Sequence, residues 1–324
     1  MPRMAQSSNL IPRSSFRKLP TTTKSSKLKW GEADADAKTT PVIGLSRRSL
    51  LTVGAGAFVA PNLARGARPV LFGLTPVFLD SDIQLIAEIE RYLSRKIDLP
   101  VQLVKRRTYQ EISSLLLANQ LDAAWICGFP FVQHRAQMNL VAVPLYRKAP
   151  LYRSYLIARS DRAADGIDAL QNDIHAFSDP DSNSGFLVTR ALLAARRQDP
   201  AAFFSRSFFT FGHRNVIRAV AAGLAHSGSV DGYVWDVMRE IEPPLVSATR
   251  IVRISEPMGF PPIASNRGID PGLDRAIRDA LVEMPLDPAG RTILETLRLD
   301  GFVPGQPELY AGIADLWRQV RETG

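Results

Sequence analysis

From residue 70 onward, short apolar runs alternate with segments whose apolar residues recur every three or four positions. No other feature constrains the chain as much, because repeated strand-helix-strand order builds parallel sheets covered by helices. Runs at 70–74, 101–104, 123–126, 140–145, 151–158, 174–177, 208–211, 230–233 and 250–254 read as strands. Segments 82–93, 109–121, 184–195, 214–224 and 234–241 read as helices; in the first, Ile83, Ile86, Ile89 and Leu93 share one face. Gly128-Phe129-Pro130-Phe131 reads as a turn, and helices at 271–282, 288–297 and 307–320 close the chain. The fold class expected is α/β, with mostly parallel sheets and flanking helices. About 257 residues follow position 67, more than one small doubly wound domain needs, so two lobes are expected.

The first 67 residues lack this alternation. Residues 1–45 are rich in Ser, Thr, Lys and Pro. Arg47 and Arg48 then stand directly before an apolar run of 11 residues, 50–60, followed by Ala64-Arg65-Gly66-Ala67. Basic, apolar, then small is the order of an export signal. The run falls short of the about 20 residues a membrane-spanning helix requires. The arginine pair resembles a twin-arginine signal, read by a translocase that exports folded proteins. The product is expected to be periplasmic, and soluble once the signal is removed.

Charge supports this division. The net charge is +8, and residues 1–67 hold 11 of the 40 basic and 3 of the 32 acidic side chains. The remainder carries 29 of each sign. A neutral body argues against nucleic acid as a partner. The single cysteine, Cys127, excludes an internal disulfide framework. No nucleophile elbow, phosphate-binding loop or metal-ligand spacing is present, so neither an enzyme nor a cofactor is expected. Cys127 with His134 seven residues on is a loose basis for a thiol nucleophile; the reading favoured from the sequence is a small buried hydrophobe.

The sharpest local signal is Asp179-Pro180-Asp181-Ser182-Asn183-Ser184-Gly185, between a strand and a helix. Amide groups at a helix start have no intrahelical acceptor, and the helix dipole is positive there. Ser182, Asn183, Ser184 and Gly185 would let an oxyanion approach and would add donors. Plain capping by Asp181 or Ser182 would account for the same residues without a ligand. His213 opens a second helix after a strand and could donate to an anion whose charge would favour its protonation. Tyr109 opens another helix, Tyr233, Trp235 and Asp236 follow a further strand, and Thr75 ends the first. All lie near the carboxyl ends of expected strands, where open α/β sheets bind ligands; core packing is the competing reading for each.

Taken in order, Asp-Pro-x-Ser-x-Ser-Gly at 179–185, the later His213 and Val-Asp-Gly-Tyr-Val-Trp at 230–235 resemble the phosphate, phosphite and phosphonate-binding components of ABC importers. Thr108-Tyr109, the aromatic stretch at 128–131 and Ser-Glu-Pro-Met-Gly-Phe-Pro-Pro at 255–262 extend the resemblance over about 69–300. It implies a two-lobe type II periplasmic-binding-protein fold with ligand in the cleft. One lobe would hold 68–155 and 256–324, the other 156–255, after a leader at 1–67. It implies a small phosphorus oxyanion held by Thr75, Tyr109, Ser182, Asn183, Ser184, Gly185 and His213, with Tyr233, Trp235 and Asp236 along the wall. It implies an ABC permease in the inner membrane as partner. Aminoalkylphosphonate binders of this family hold the amine with acidic residues; of the matching stretch only Asp236 is one, and Phe129 and Phe131 stand where a hydroxylated aromatic is expected. A sensory domain reporting to a membrane partner, or a binder of another anion such as a sulfonate, would use the same fold.

Overall fold

The computed structural model describes residues 68–76 and 83–323. The leader, with Arg47 and Arg48, lies outside the described residues. In chain order the strands are β1 (Val70–Leu74), β2 (Val101–Lys105), β3 (Ala123–Trp125), β4 (Met138–Leu145), β5 (Leu151–Tyr152), β6 (Ser154–Arg159) and β7 (Ile174–Phe177). They continue as β8 (Arg206–Phe209), β9 (Ser227–Asp231), β10 (Thr249–Ile254), β11 (Met258–Gly259), β12 (Ile263–Asn266) and β13 (Gly301–Pro304).

Two sheets form. The first has the order β13-β4-β12-β3-β1-β2, the second β10-β6-β9-β7-β8. Strands β1, β2 and β3 run parallel, as do β7, β8 and β9, which is the expected strand-helix-strand pattern. The rest of each sheet departs from the expectation of mostly parallel strands. β12 runs antiparallel to β3 and β4, β13 to β4, and β6 to β9 and β10. The reason is the route of the chain: it leaves the first sheet along β4, enters the second along β6, and returns along β10 and β12. Between the sheets β5 and β11 pair antiparallel, Tyr152 opposite Met258 and Leu151 opposite Gly259. These two short strands carry both crossings.

Helix starts follow their capping chemistry. Thr108 Oγ1 accepts from Glu111 N–H while the Glu111 carboxylate accepts from Thr108 N–H, which fixes the helix Tyr109–Leu117 at its first residue. Asp270 and Asp287 cap helices whose first residue is proline, Pro271–Val282 and Pro288–Leu297. On the helix Tyr109–Leu117, Ile112 and Leu116 are fully buried against the first sheet, each stabilising it by about 1.5–3 kcal/mol. A second apolar cluster, with Phe177, Leu193, Phe203 and Phe204, covers the other sheet. The stretch read as a turn at 128–131 is instead the start of a short helix, Gly128–His134. A Cβ at Gly128 would lie 2.7 Å from Ile313 Cδ1, so the absent side chain lets this helix press against Ala311–Thr323.

Candidate functional site

The segment after β7 begins with a hydroxyl and a carboxylate, Ser178 and Asp179, both buried. The chain then enters a wide turn, Asn183–Leu187, where Leu187 N–H donates to Ser182 O and Val188 N–H to Asn183 O, five residues back. This π-type turn continues into the helix Val188–Ala194, so helical backbone is continuous from 183 to 194. Such widened turns recur at functional sites. Ser182 Oγ accepts from Gly185 N–H at 3.0 Å, so capping is present. Capping does not account for the whole segment, however. Ser178 Oγ and Asn183 Oδ1 are buried without a hydrogen-bond partner among the described residues, an arrangement that costs about 1–3 kcal/mol per group unless something pairs with it. At Gly185 a Cβ would fall on Ser178 Oγ and lie 3.0 Å from His213 Cε1. Only glycine leaves that approach open.

His213 is the first residue of the helix His213–Ala221 and is 2 % exposed. Its Nδ1 accepts from Asp231 N–H at 3.1 Å. The neutral ring therefore carries its proton on Nε2, which lies 3.2 Å from the Tyr109 phenol oxygen. With that oxygen accepting, the Tyr109 O–H is left to donate elsewhere. Burial pushes His213 down to about 3, so at neutral pH the ring is neutral and can donate through Nε2. Burial raises the phenols of Tyr109 and Tyr152 well above their usual range and keeps them protonated.

The facing wall comes from the start of the helix Tyr109–Leu117, from Cys127 and from the crossing strands β5 and β11, with Ser154 at the start of β6. Tyr109 N–H donates to Asp179 Oδ2 at 3.2 Å. Asn183 N–H donates to Cys127 Sγ at 3.2 Å, and Asn183 Nδ2 to the Tyr152 phenol at 2.8 Å and to Met258 Sδ at 3.3 Å. Ser154 Oγ donates to Ser184 O at 2.6 Å. Thr75 is buried at the end of β1, its Oγ1 donating to Trp125 O at 3.0 Å. Burial pushes the Cys127 thiol up to about 12, so it remains protonated and is no nucleophile at neutral pH.

Tyr109, Ser182, Asn183, Ser184, Gly185 and His213 thus lie in one buried cluster. Three expected wall residues do not join them through their side chains. Tyr233 donates its hydroxyl to Leu297 O. Trp235 donates its indole N–H to Thr249 Oγ1 at 3.1 Å and packs edge-on against Tyr155. Asp236 already accepts from the Tyr146 and Tyr155 phenols at 3.3 and 3.4 Å and pairs with Arg147 at 3.1 Å, leaving little capacity for a ligand amine. Tyr233 and Asp236 instead line a separate cavity of about 290 Å³ beside β5, together with Tyr146, Arg147, Tyr152 and Tyr155. The physical reason is helix geometry: in Gly232–Ile241 these side chains turn away from the mouth, which Asp231 caps through Tyr233 and Val234 N–H.

Four cluster residues escape sequence reasoning. Ser178 precedes the quoted motif by one position, and Asp231 lies inside a quoted stretch whose aromatics draw attention. Tyr152 and Ser154 carry no local signal, since only the crossing at β5 brings them to the helix mouth. Cys127 stands out in the sequence as a thiol, and its place beside Asn183 comes from the fold alone.

A family model described as the periplasmic substrate-binding protein of phosphonate ABC transporters matches residues 72–310. The chain belongs to this family. Among solved structures, a binding-protein component of an ABC phosphonate transporter from Pseudomonas aeruginosa is similar, with a TM-score of 0.73 and 18% identity over 79% of this chain and 88% of that one. PhnD1 from Prochlorococcus marinus, solved in complex with methylphosphonate, has a TM-score of 0.71 at 16% identity over 78% of this chain and 98% of its own. A Xanthomonas citri protein bound to ATP has a TM-score of 0.64 at 17% identity, over 78% and 97%. No curated protein sequence matches the chain. The fold is the two-lobe type II periplasmic-binding-protein fold. Among the described residues no helix is long and apolar enough to cross a membrane.

Proposed function

We propose that this member of the family captures a small phosphorus oxyanion (phosphate, phosphite or a simple phosphonate) in the cleft and delivers it to an ABC permease in the inner membrane. The observation that carries the reading is the mouth of the 183–194 helix, where Ser178 Oγ and Asn183 Oδ1 are buried without partners beside Gly185. Neutral donors, from hydroxyls, backbone amides and the His213 imidazole, hold an anion without surplus positive charge, in keeping with the neutral body of the chain. Each lobe, 68–155 with 256–324 and 156–255, then contributes part of the site: Thr75 and Tyr109 from the first, Ser182, Asn183, Ser184, Gly185 and His213 from the second.

Calorimetric titration of phosphate, phosphite, methylphosphonate and sulfate tests this. A charge-assisted hydrogen bond contributes about 1.5–3 kcal/mol, so Ser184→Ala and His213→Ala should each weaken binding of the preferred ion by about tenfold to a hundredfold. Unchanged affinity in both variants would remove the site. Export through the twin-arginine translocase belongs to the same proposal. Arg47→Lys with Arg48→Lys should leave the protein unprocessed in the cytoplasm; normal processing in a fractionation blot would exclude that route.

A further inference from the structure

Asn183 is held from three sides, and the way it is held fixes what its carbonyl oxygen faces. The thioether of Met258 accepts hydrogen bonds and cannot donate them. The Asn183 side-chain atom 3.3 Å from Met258 Sδ is therefore the amide nitrogen, which also donates to the Tyr152 phenol at 2.8 Å. The backbone N–H is engaged by Cys127 Sγ. Both side-chain hydrogens are committed, so the side chain cannot turn over without placing oxygen against sulfur. Oδ1 is left as a fixed, fully buried acceptor with no donor among the described residues.

An anion site with an obligatory acceptor in it is a chemical contradiction unless the ligand brings a hydrogen. The surroundings sharpen this point. The carboxyls of Asp179 and Asp231 are also buried in the cluster, but they face backbone N–H groups, Asp179 those of Tyr109 and Asp181, Asp231 those of Tyr233 and Val234, so neither supplies Oδ1 with a donor. A fully ionised oxyanion would meet Oδ1 with a lone pair. A hydrogen phosphonate or hydrogen phosphite presents a P–O–H, while a sulfonate or sulfate near neutral pH carries no proton to give.

We propose that Asn183 Oδ1 accepts a hydrogen bond from the ligand itself, so that the site selects a protonated phosphorus oxyanion over sulfonates and sulfate of the same shape. This rests on the reading of the cleft given above. Serine at 183 provides a hydroxyl that can rotate to donate, which removes the obligatory acceptor without adding bulk.

The test compares methylphosphonate with methanesulfonate, two ligands alike in shape and differing in the proton, by calorimetry at slightly acidic pH. Wild type should bind methylphosphonate about tenfold to a hundredfold more tightly than methanesulfonate. Asn183→Ser should narrow that ratio by about tenfold, chiefly by admitting the sulfonate. Equal affinities in wild type would overturn the proposal even if the variant failed to fold. An unchanged ratio in a variant that still binds methylphosphonate would overturn it too. A 2-aminoethylphosphonate and taurine pair covers the other donor chemistry: if both bind wild type equally well, Oδ1 is reading an ammonium and the proposal fails while the cleft stands. If no phosphorus oxyanion binds wild type at all, the reading of the cleft itself falls, and this inference with it.

Discussion

His175 is the most buried imidazole of the chain, bonded through Nδ1 to Ser227 Oγ and through Nε2 to Ser229 Oγ, both at 2.8 Å, and stacked on Phe204. Ser229 Oγ in turn pairs with Thr189 Oγ1 at 2.7 Å, so the ring is tied to the helix Val188–Ala194 that follows the wide turn. Burial lowers both His175 and His213 from 6.5 to about 3. The unfolded chain takes up protons below 6.5 that the folded chain refuses until about 3. Each ring therefore contributes stability that is complete at neutral pH and lost as the pH falls, amounting to about 2 kcal/mol per ring by about pH 5. Asp231, which burial raises from 3.8 to about 7, works the other way and favours the fold as the pH falls through that range. Burial raises Asp179 and Asp181 as well, which act in the same direction as Asp231, so the effect of a single ring is read from the change that its replacement makes. In urea titrations His175→Gln should shrink the loss between neutral pH and about pH 5 by about 2 kcal/mol; an identical pH slope would show that the buried ring takes up protons in the fold as readily as in the unfolded chain.

At the scale of elements, the cap that starts Tyr109–Leu117 sets the position of the Tyr109 phenol as well as the helix. Thr108→Ala should cost about 1 kcal/mol of stability in denaturant titration; no loss would mean that tertiary packing alone fixes that helix start. Caps are also where sequence reads most truly. Asp270-Pro271 and Asp287-Pro288 mark the starts of Pro271–Val282 and Pro288–Leu297 to the residue, because each pairs an N-cap carboxylate with a first-position proline. β12 and β13 escape such reading. Ile263-Ala264-Ser265-Asn266 has one large apolar residue and no alternation, and β13 opens on a glycine with φ 147° and closes on Pro304. β12 is a strand because β3 and β4 flank it, and β13 because β4 offers it an edge. The same division holds at the site: Ser182, Asn183, Ser184 and Gly185 are legible because they are adjacent in sequence, while Ser154, Tyr152 and Cys127 reach the mouth only through long-range folding. The wide turn at 183–187 is not legible either, since an apolar spacing near three or four residues does not distinguish an α-turn from a π-turn.

Across the whole molecule, side-chain bonds link the elements around the first sheet to those around the second. On one side Tyr109 reaches His213 and Asp179; on the other Arg147 pairs with Asp236 and Arg298 with Glu240 at 2.9 Å. The two-residue strands β5 and β11 are the narrow joint between them. A ligand that bridges both walls favours the closed arrangement by its differential affinity. Small-angle scattering should record a smaller radius of gyration at saturating methylphosphonate than without it; an unchanged radius despite binding shown by calorimetry would indicate a cleft closed from the start. The path of the chain has one more effect. The second sheet is made from a single continuous stretch, 154–254, but the first lacks its middle until β12 slides between β3 and β4, and β13 joins its edge later still. Synthesis must pass residue 266 before the first lobe has its middle strand, and loop closure over such separations is slow. The half of the cleft that bears Tyr109 and Thr75 is therefore the last part to mature, and a transport route that accepts only finished proteins would hold the chain back until that strand is seated.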